Sequence, residues 1–154
     1  MKFPYSTVIV AGSGNGHFLA LRRPEIQASV IGPAGKMGVT ALVDTGSDQT
    51  IFPKSVADRL QIAVTQSEEF PAAAFTGERI ELLSGEVELE VINDGRRLAW
   101  RTVVWFYDAP DTDKESVVFG HAGFLDYFTA TFDGLNAILT LEPNAELPAV
   151  VEGG

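Results

Sequence analysis

Apolar and acidic positions alternate strictly from Gly85 to Val91: Val87, Leu89 and Val91 fall on one face, Glu86, Glu88 and Glu90 on the other. A period of two predicts a half-buried antiparallel strand whose glutamates form a solvated face. Asn93-Asp94-Gly95 follows as a hairpin signal, and Leu98 to Phe106 reads as the returning partner strand. Upstream, Val39 to Val43 is apolar almost throughout, the pattern of a strand covered on both faces. It pairs in this reading with a long strand over Phe18–Ile31 through the glycine-rich turn at Gly32–Gly38. Tyr5 to Ala11 predicts a further strand that ends in the glycine-rich run Gly12–Gly16.

Helical periodicity is scarce. Ser55–Leu60 predicts a short helix with Ser55 as its cap and Val56 and Leu60 on one face. His121–Phe128 predicts another, with Phe124 and Phe128 four residues apart. Phe70–Leu83 reads as two strand pieces around Ala72–Gly77, and Thr129–Phe132 with Ala137–Leu141 as a hairpin. From Glu142 the chain reads as a tail, either frayed or held by a partner. The pattern as a whole predicts a mainly β protein, a small closed barrel with one or two short helices.

Composition narrows what such a barrel does. The chain has 154 residues, the size of one domain, and fifteen aromatics to fill a core. Eleven Lys plus Arg against twenty-one Asp plus Glu leave a net charge of −10, which argues against nucleic acid or an anionic membrane as partner. Cysteine is absent, so disulfides, thiolate metal sites and a cysteine nucleophile are excluded. His17 and His121 are the two imidazoles, no spacing calls for a metal, and no cofactor is expected. The uncharged stretch Phe3–Leu21 is broken by Pro4 and several glycines, and its apolar core Val8–Ala11 is shorter than the roughly 7–15 residues of a signal-peptide core. The expectation is a soluble, cytoplasmic protein. Gly12 and Gly14 open a dinucleotide-type spacing that fails at His17, and no serine stands in a Gly-x-Ser-x-Gly context.

Asp44 is the residue with chemistry to explain. It ends the apolar strand and is followed by Thr45, Gly46 and Ser47. A carboxylate there needs donors; Gly46 allows close backbone approach, and the two hydroxyls can donate. The same four residues are also good turn chemistry, so composition alone divides evenly between a turn and a site.

Ala41-Leu42-Val43-Asp44-Thr45-Gly46-Ser47 resembles the active-site loop of aspartic proteases. Val117-Val118-Phe119-Gly120 with the following Phe124–Phe128 is similar to the apolar-apolar-Gly segment and short helix of retropepsin-like domains. The resemblance spans roughly residues 24–141, leaving 1–23 as an N-terminal strand and flexible loop and 142–154 as a tail that could add a dimer strand. It implies a retropepsin-like acid-protease barrel. One Asp-Thr-Gly triplet per chain implies a homodimer with Asp44 of each copy at the axis, Thr45 bonding across it and Ser47 reaching the outer carboxylate oxygen. Phe119 and Gly120 would support the loop, and Phe75, Thr76 and Gly77 would belong to a flap over an extended peptide. Where the family often has Arg after that glycine, this chain has His121; the favoured reading is a helix-start residue with no special role, and the alternative is an Asp48–His121 contact in place of the family's arginine. The implied function is an aspartic endopeptidase cutting at apolar sites. The alternative is a peptide-binding or dimerisation domain with little turnover.

Overall fold

The computed structural model describes residues 1–12, 14, 16–66, 72–73, 79–108 and 116–148. Six strands close into a barrel. In chain order they are β4 (Glu25–Gly32), β5 (Gly35–Val43), β6 (Ile51–Pro53), β10 (Leu82–Asn93), β11 (Arg96–Tyr107) and β12 (Val117–Phe119). Around the barrel the order is β11-β6-β12-β5-β4-β10, and β10 pairs back onto β11. The remaining strands are β1 (Lys2–Pro4), β2 (Ser6–Ala11), β3 (Phe18–Arg23), β7 (Thr65–Gln66), β8 (Ala72–Ala73), β9 (Arg79–Ile80), β13 (Phe128–Asp133) and β14 (Ile138–Pro143). The expected mainly β closed barrel is what the chain forms.

The long hairpin β10–β11 runs in register from Leu82↔Tyr107 to Asn93↔Arg96. Asp94 and Gly95 turn it with φ of 50° and 77°, the paired positive angles that match the twist of the flanking strands. Val87, Leu89 and Val91 point into the barrel with Val30, Ala41 and Val104. Phe119 and Phe124 stack at 4.4 Å between ring centroids, and Trp100 meets Phe128 edge-on at 5.5 Å. Each such pair adds about 0.5–1.5 kcal/mol beyond the area it buries.

Several expectations require correction. The strand expected over Phe18–Ile31 is two strands, β3 and β4, separated at Pro24. Proline has no N–H to extend a ladder, and there the chain leaves one sheet for another. β2 and β3 pair with each other from Ser6↔Arg23 to Ala11↔Phe18, outside the barrel. Glu90 is not solvated: it is 3% exposed, paired with Lys36 and with Arg97 at 2.6 Å, so only Glu86 and Glu88 keep the open face. The helix α1 (Lys54–Leu60) forms, but its N-cap is Pro53 with no side-chain cap bond, so Ser55 is not the cap. In place of the helix over His121–Phe128 there is a single 3₁₀ turn, Leu125–Tyr127, because Gly123 at φ 93° and Phe124 at φ −138° interrupt any helical run. The tail is docked as far as Pro148: Glu142 and Pro143 belong to β14, and Leu147 is buried.

Both ends of the described chain join one three-stranded sheet, whose Phe3, Leu139 and Leu141 pack into the core. β1 and β13 flank β14, pairing Phe3↔Leu139 and Ala130↔Leu141. No helix among the described residues is long and apolar enough to cross a membrane.

Candidate active site

Asp44 stands where β5 leaves the barrel. Val117, Val118 and Phe119 of β12 run parallel to Ala41, Leu42 and Val43, so the last residues of β5 are held along their length. Past that point the N–H of Asp44 donates to the Phe119 carbonyl at 3.0 Å, and the N–H of Val43 to that of Pro24 at 2.9 Å. The chain then turns. Gly46 N–H donates to Asp44 Oδ1 at 2.8 Å and Ser47 N–H to the Asp44 carbonyl at 3.2 Å, a turn closed by the aspartate's own side chain. A Cβ on Gly46 would stand 3.1 Å from Asp44 Oδ1, so glycine leaves the carboxylate room to take that bond. Asp44 is half-buried, whereas Thr45 and Gly46 face outward.

The segment after β12 braces this loop from behind. His121 N–H donates to the Ser47 carbonyl at 3.0 Å, Ala122 N–H to that of Asp48 at 2.9 Å, and Thr50 N–H to that of Ala122 at 3.0 Å. Gly120 makes this approach possible: a Cβ there would lie 2.5 Å from the Ser47 carbonyl oxygen and closer still to that of Gln49. The His121 ring adds a side-chain tie, with Nε2 2.8 Å from the Thr45 carbonyl oxygen. A carbonyl only accepts, so Nε2 carries the hydrogen. Beyond the loop, Trp105 N–H donates to the Thr50 carbonyl at 2.9 Å and locks the start of β6 to β11.

The structure therefore brings Asp44, Thr45, Gly46, Ser47, Asp48, Phe119 and Gly120 together in one loop-and-brace unit. It corrects two details of the sequence reading. Ser47 Oγ donates to the Gln49 carbonyl at 2.7 Å rather than to the Asp44 carboxylate. The His121 side chain meets Thr45 and, at 4.0 Å, Asp126, while Asp48 takes part through its main-chain carbonyl. Proximity in the fold set these partners: Asp48 leaves the loop exposed, and Asp126 returns beneath His121 in the 3₁₀ turn. Phe75, Thr76 and Gly77, the expected flap residues, lie outside the described residues.

Pro24, Gln49 and Asp126 join the site only in three dimensions. Gln49 is buried and bridges to Ala122, a contact with no local signature in the sequence. Pro24 alone could have been suspected, because a proline has no N–H for the ladder and so marks a break between two strands.

No protein-family model matches the sequence, and no curated protein does. Among solved structures, the chain is similar to EIAV protease complexed with the inhibitor HBY-793, at 19% identity and a TM-score of 0.46, over 64% of this chain and 82% of that one.

Proposed function

We propose that this chain is an aspartic endopeptidase that works as a homodimer, with Asp44 of each copy meeting at the two-fold axis. The observation that carries the proposal is the braced loop: a half-buried carboxylate, held by Gly46 N–H, follows a buried barrel strand and precedes two outward-facing residues. A loop tied this firmly to the segment 119–122 presents its acid in one geometry, as a positioned catalytic group requires. The sequence holds one Asp-Thr-Gly triplet, and a residue on a two-fold axis meets its own copy.

Two carboxylates in close contact cannot both ionise comfortably, so the pair shares a proton. The ionised member takes a proton from a water held between them, and the protonated member donates to the scissile carbonyl. The water oxygen adds to the carbonyl carbon; collapse of the tetrahedral intermediate breaks the C–N bond and passes a proton to the leaving amine. No covalent enzyme intermediate forms. Thr45 bonds across the axis, Ser47, Asp48, Phe119 and Gly120 hold the loop, and the segment containing Phe75, Thr76 and Gly77 covers an extended peptide bound as an added strand.

Cleavage of a diverse peptide library between about pH 3 and pH 8, wild type against Asp44→Asn, tests this proposal. Cuts at apolar sites by the wild type alone are expected. A folded wild type that binds peptides but cuts none would replace the protease with a peptide-binding or dimerisation domain.

A further inference from the structure

The β2–β3 hairpin is apolar on both faces; one face is exposed throughout, and on the other Val8 and Val10 are half-buried beside exposed Leu19 and Leu21. One face carries Val8 and Val10 opposite Leu21 and Leu19; the other carries Ile9 and, at the loop end, Phe18. Phe18 is 72% exposed, Ile9 68% and Leu19 57%. Among the described residues neither strand pairs with any other, so both hairpin edges are free as well. An isolated two-stranded hairpin is marginally stable in water, and a strand apolar on both faces belongs under cover. Exposed apolar surface of this kind marks an interaction site.

Charge indicates what the cover is. The hairpin, residues 6–23, holds Arg22 and Arg23 and no acid, a charge of +2, with Arg23 3.9 Å from Glu25 of its own chain; the remaining residues hold 9 basic and 21 acidic groups, 9 − 21 = −12. The chain is an apolar arm with two arginines at its base, attached to a strongly anionic body. An acidic body repels an anionic lipid surface, whereas a second copy offers the complementary charge. Position points the same way. The arm joins the barrel at Pro24, whose carbonyl accepts the N–H of Val43, the residue before Asp44. Six residues per strand give the arm about 20 Å of reach from a base beside that loop. On the other side of the base, Tyr5 N–H is bonded to Ala137 in the turn that carries Leu135, itself 88% exposed.

We propose that the β2–β3 hairpin is an assembly arm that crosses the two-fold axis and lies on the acidic body of the second copy. The arm covers its apolar faces there and sets Arg22 against the partner's carboxylates. The inference rests on the dimer of the proposed protease for the axis, and on exposure and charge for the arm.

Sedimentation of the full chain tests it through Phe18→Ser/Leu19→Ser, a pair of exposed positions whose replacement leaves the barrel core untouched. The dimer dissociation constant should rise about tenfold or more. Arg22→Glu should weaken the dimer more than Arg96→Glu, which changes the net charge equally outside the arm, at the β10–β11 turn. A photo-crosslinker at position 18, in a mixture of light and isotopically labelled chains, should join unlike chains. Unchanged dimerisation in the double variant, or crosslinks confined to single chains, would overturn the arm. So would a wild-type monomer that co-sediments through Phe18 with vesicles of phosphatidylserine and phosphatidylcholine. The two proposals fail separately. An arm-dependent dimer that cuts no peptide removes the protease and keeps the arm, while arm-independent cleavage does the reverse.

Discussion

Gly120 has no space for a side chain, because the carbonyls of Ser47 and Gln49 occupy the position a Cβ would take. Gly120→Ala must push the Asp44 loop off its brace, and overpacking of this kind costs about 1–3 kcal/mol. Urea unfolding measures the loss, and peptide cleavage should fall with it. Glu90 is the residue the period-of-two pattern misplaces. Its hydrogen bond from Lys36, with Arg97 beside it, holds its carboxyl below the ordinary glutamate range against the opposing effect of burial. A lowered folded value means that the cluster stabilises the fold above the ordinary glutamate range and loses this contribution as pH falls through the folded value. Glu90→Gln should therefore cost about 1–2 kcal/mol near neutral pH, since Lys36 is half exposed and screened by solvent. The gap between variant and wild type should close in acid, and a gap that widened would contradict the assignment. Periodicity marks which side of a sheet a residue occupies; it does not show that cations from β5 and β11 will cover it.

At the scale of elements, α1 is built with little local support. It begins at Pro53 without a side-chain cap and ends at Gln61 in the left-handed region, φ 54°, where a Cβ is unfavourable. Gln61→Gly should raise stability by up to about 1 kcal/mol, read as a higher melting temperature. The helix exists because Val56, Ala57 and Leu60 are buried against the barrel, and that packing outweighs its weak ends. Hairpins with local turns were legible in the sequence: β10–β11 through Asp94-Gly95, and β13–β14 around Asp133–Asn136. The second of these turns is held by Asp133, whose carboxylate accepts from the Asn136 side chain and N–H and is held below its usual range by those bonds. Less legible were β1, three residues paired with β14 at the opposite end of the chain, and the 3₁₀ turn, whose short reach follows from Gly123.

At the scale of the molecule, charge bears on the proposed dimer. Two chains of the proposed dimer would carry 2 × (−10) = −20, so body repels body, and Arg22 and Arg23 of each proposed arm would offset only part of this repulsion. Dimerisation should strengthen with added salt or moderate acid, measured by sedimentation at pH 5 and pH 8. A tighter dimer at low salt and pH 8 would contradict it. The amino-acid sequence by itself determined the mainly β class, the hairpins with local turns, and an aspartate at the end of an apolar strand, because alternation and turn chemistry act between near neighbours in the chain. Tertiary structure decided the rest. Closure of the barrel set β12 between β5 and β6, brought Gly120 and His121 behind Asp44, buried Glu90 between two cations, and left the β2–β3 arm outside. These are pairings between residues distant in sequence, and the packing of the closed barrel fixes them rather than any pattern along the chain.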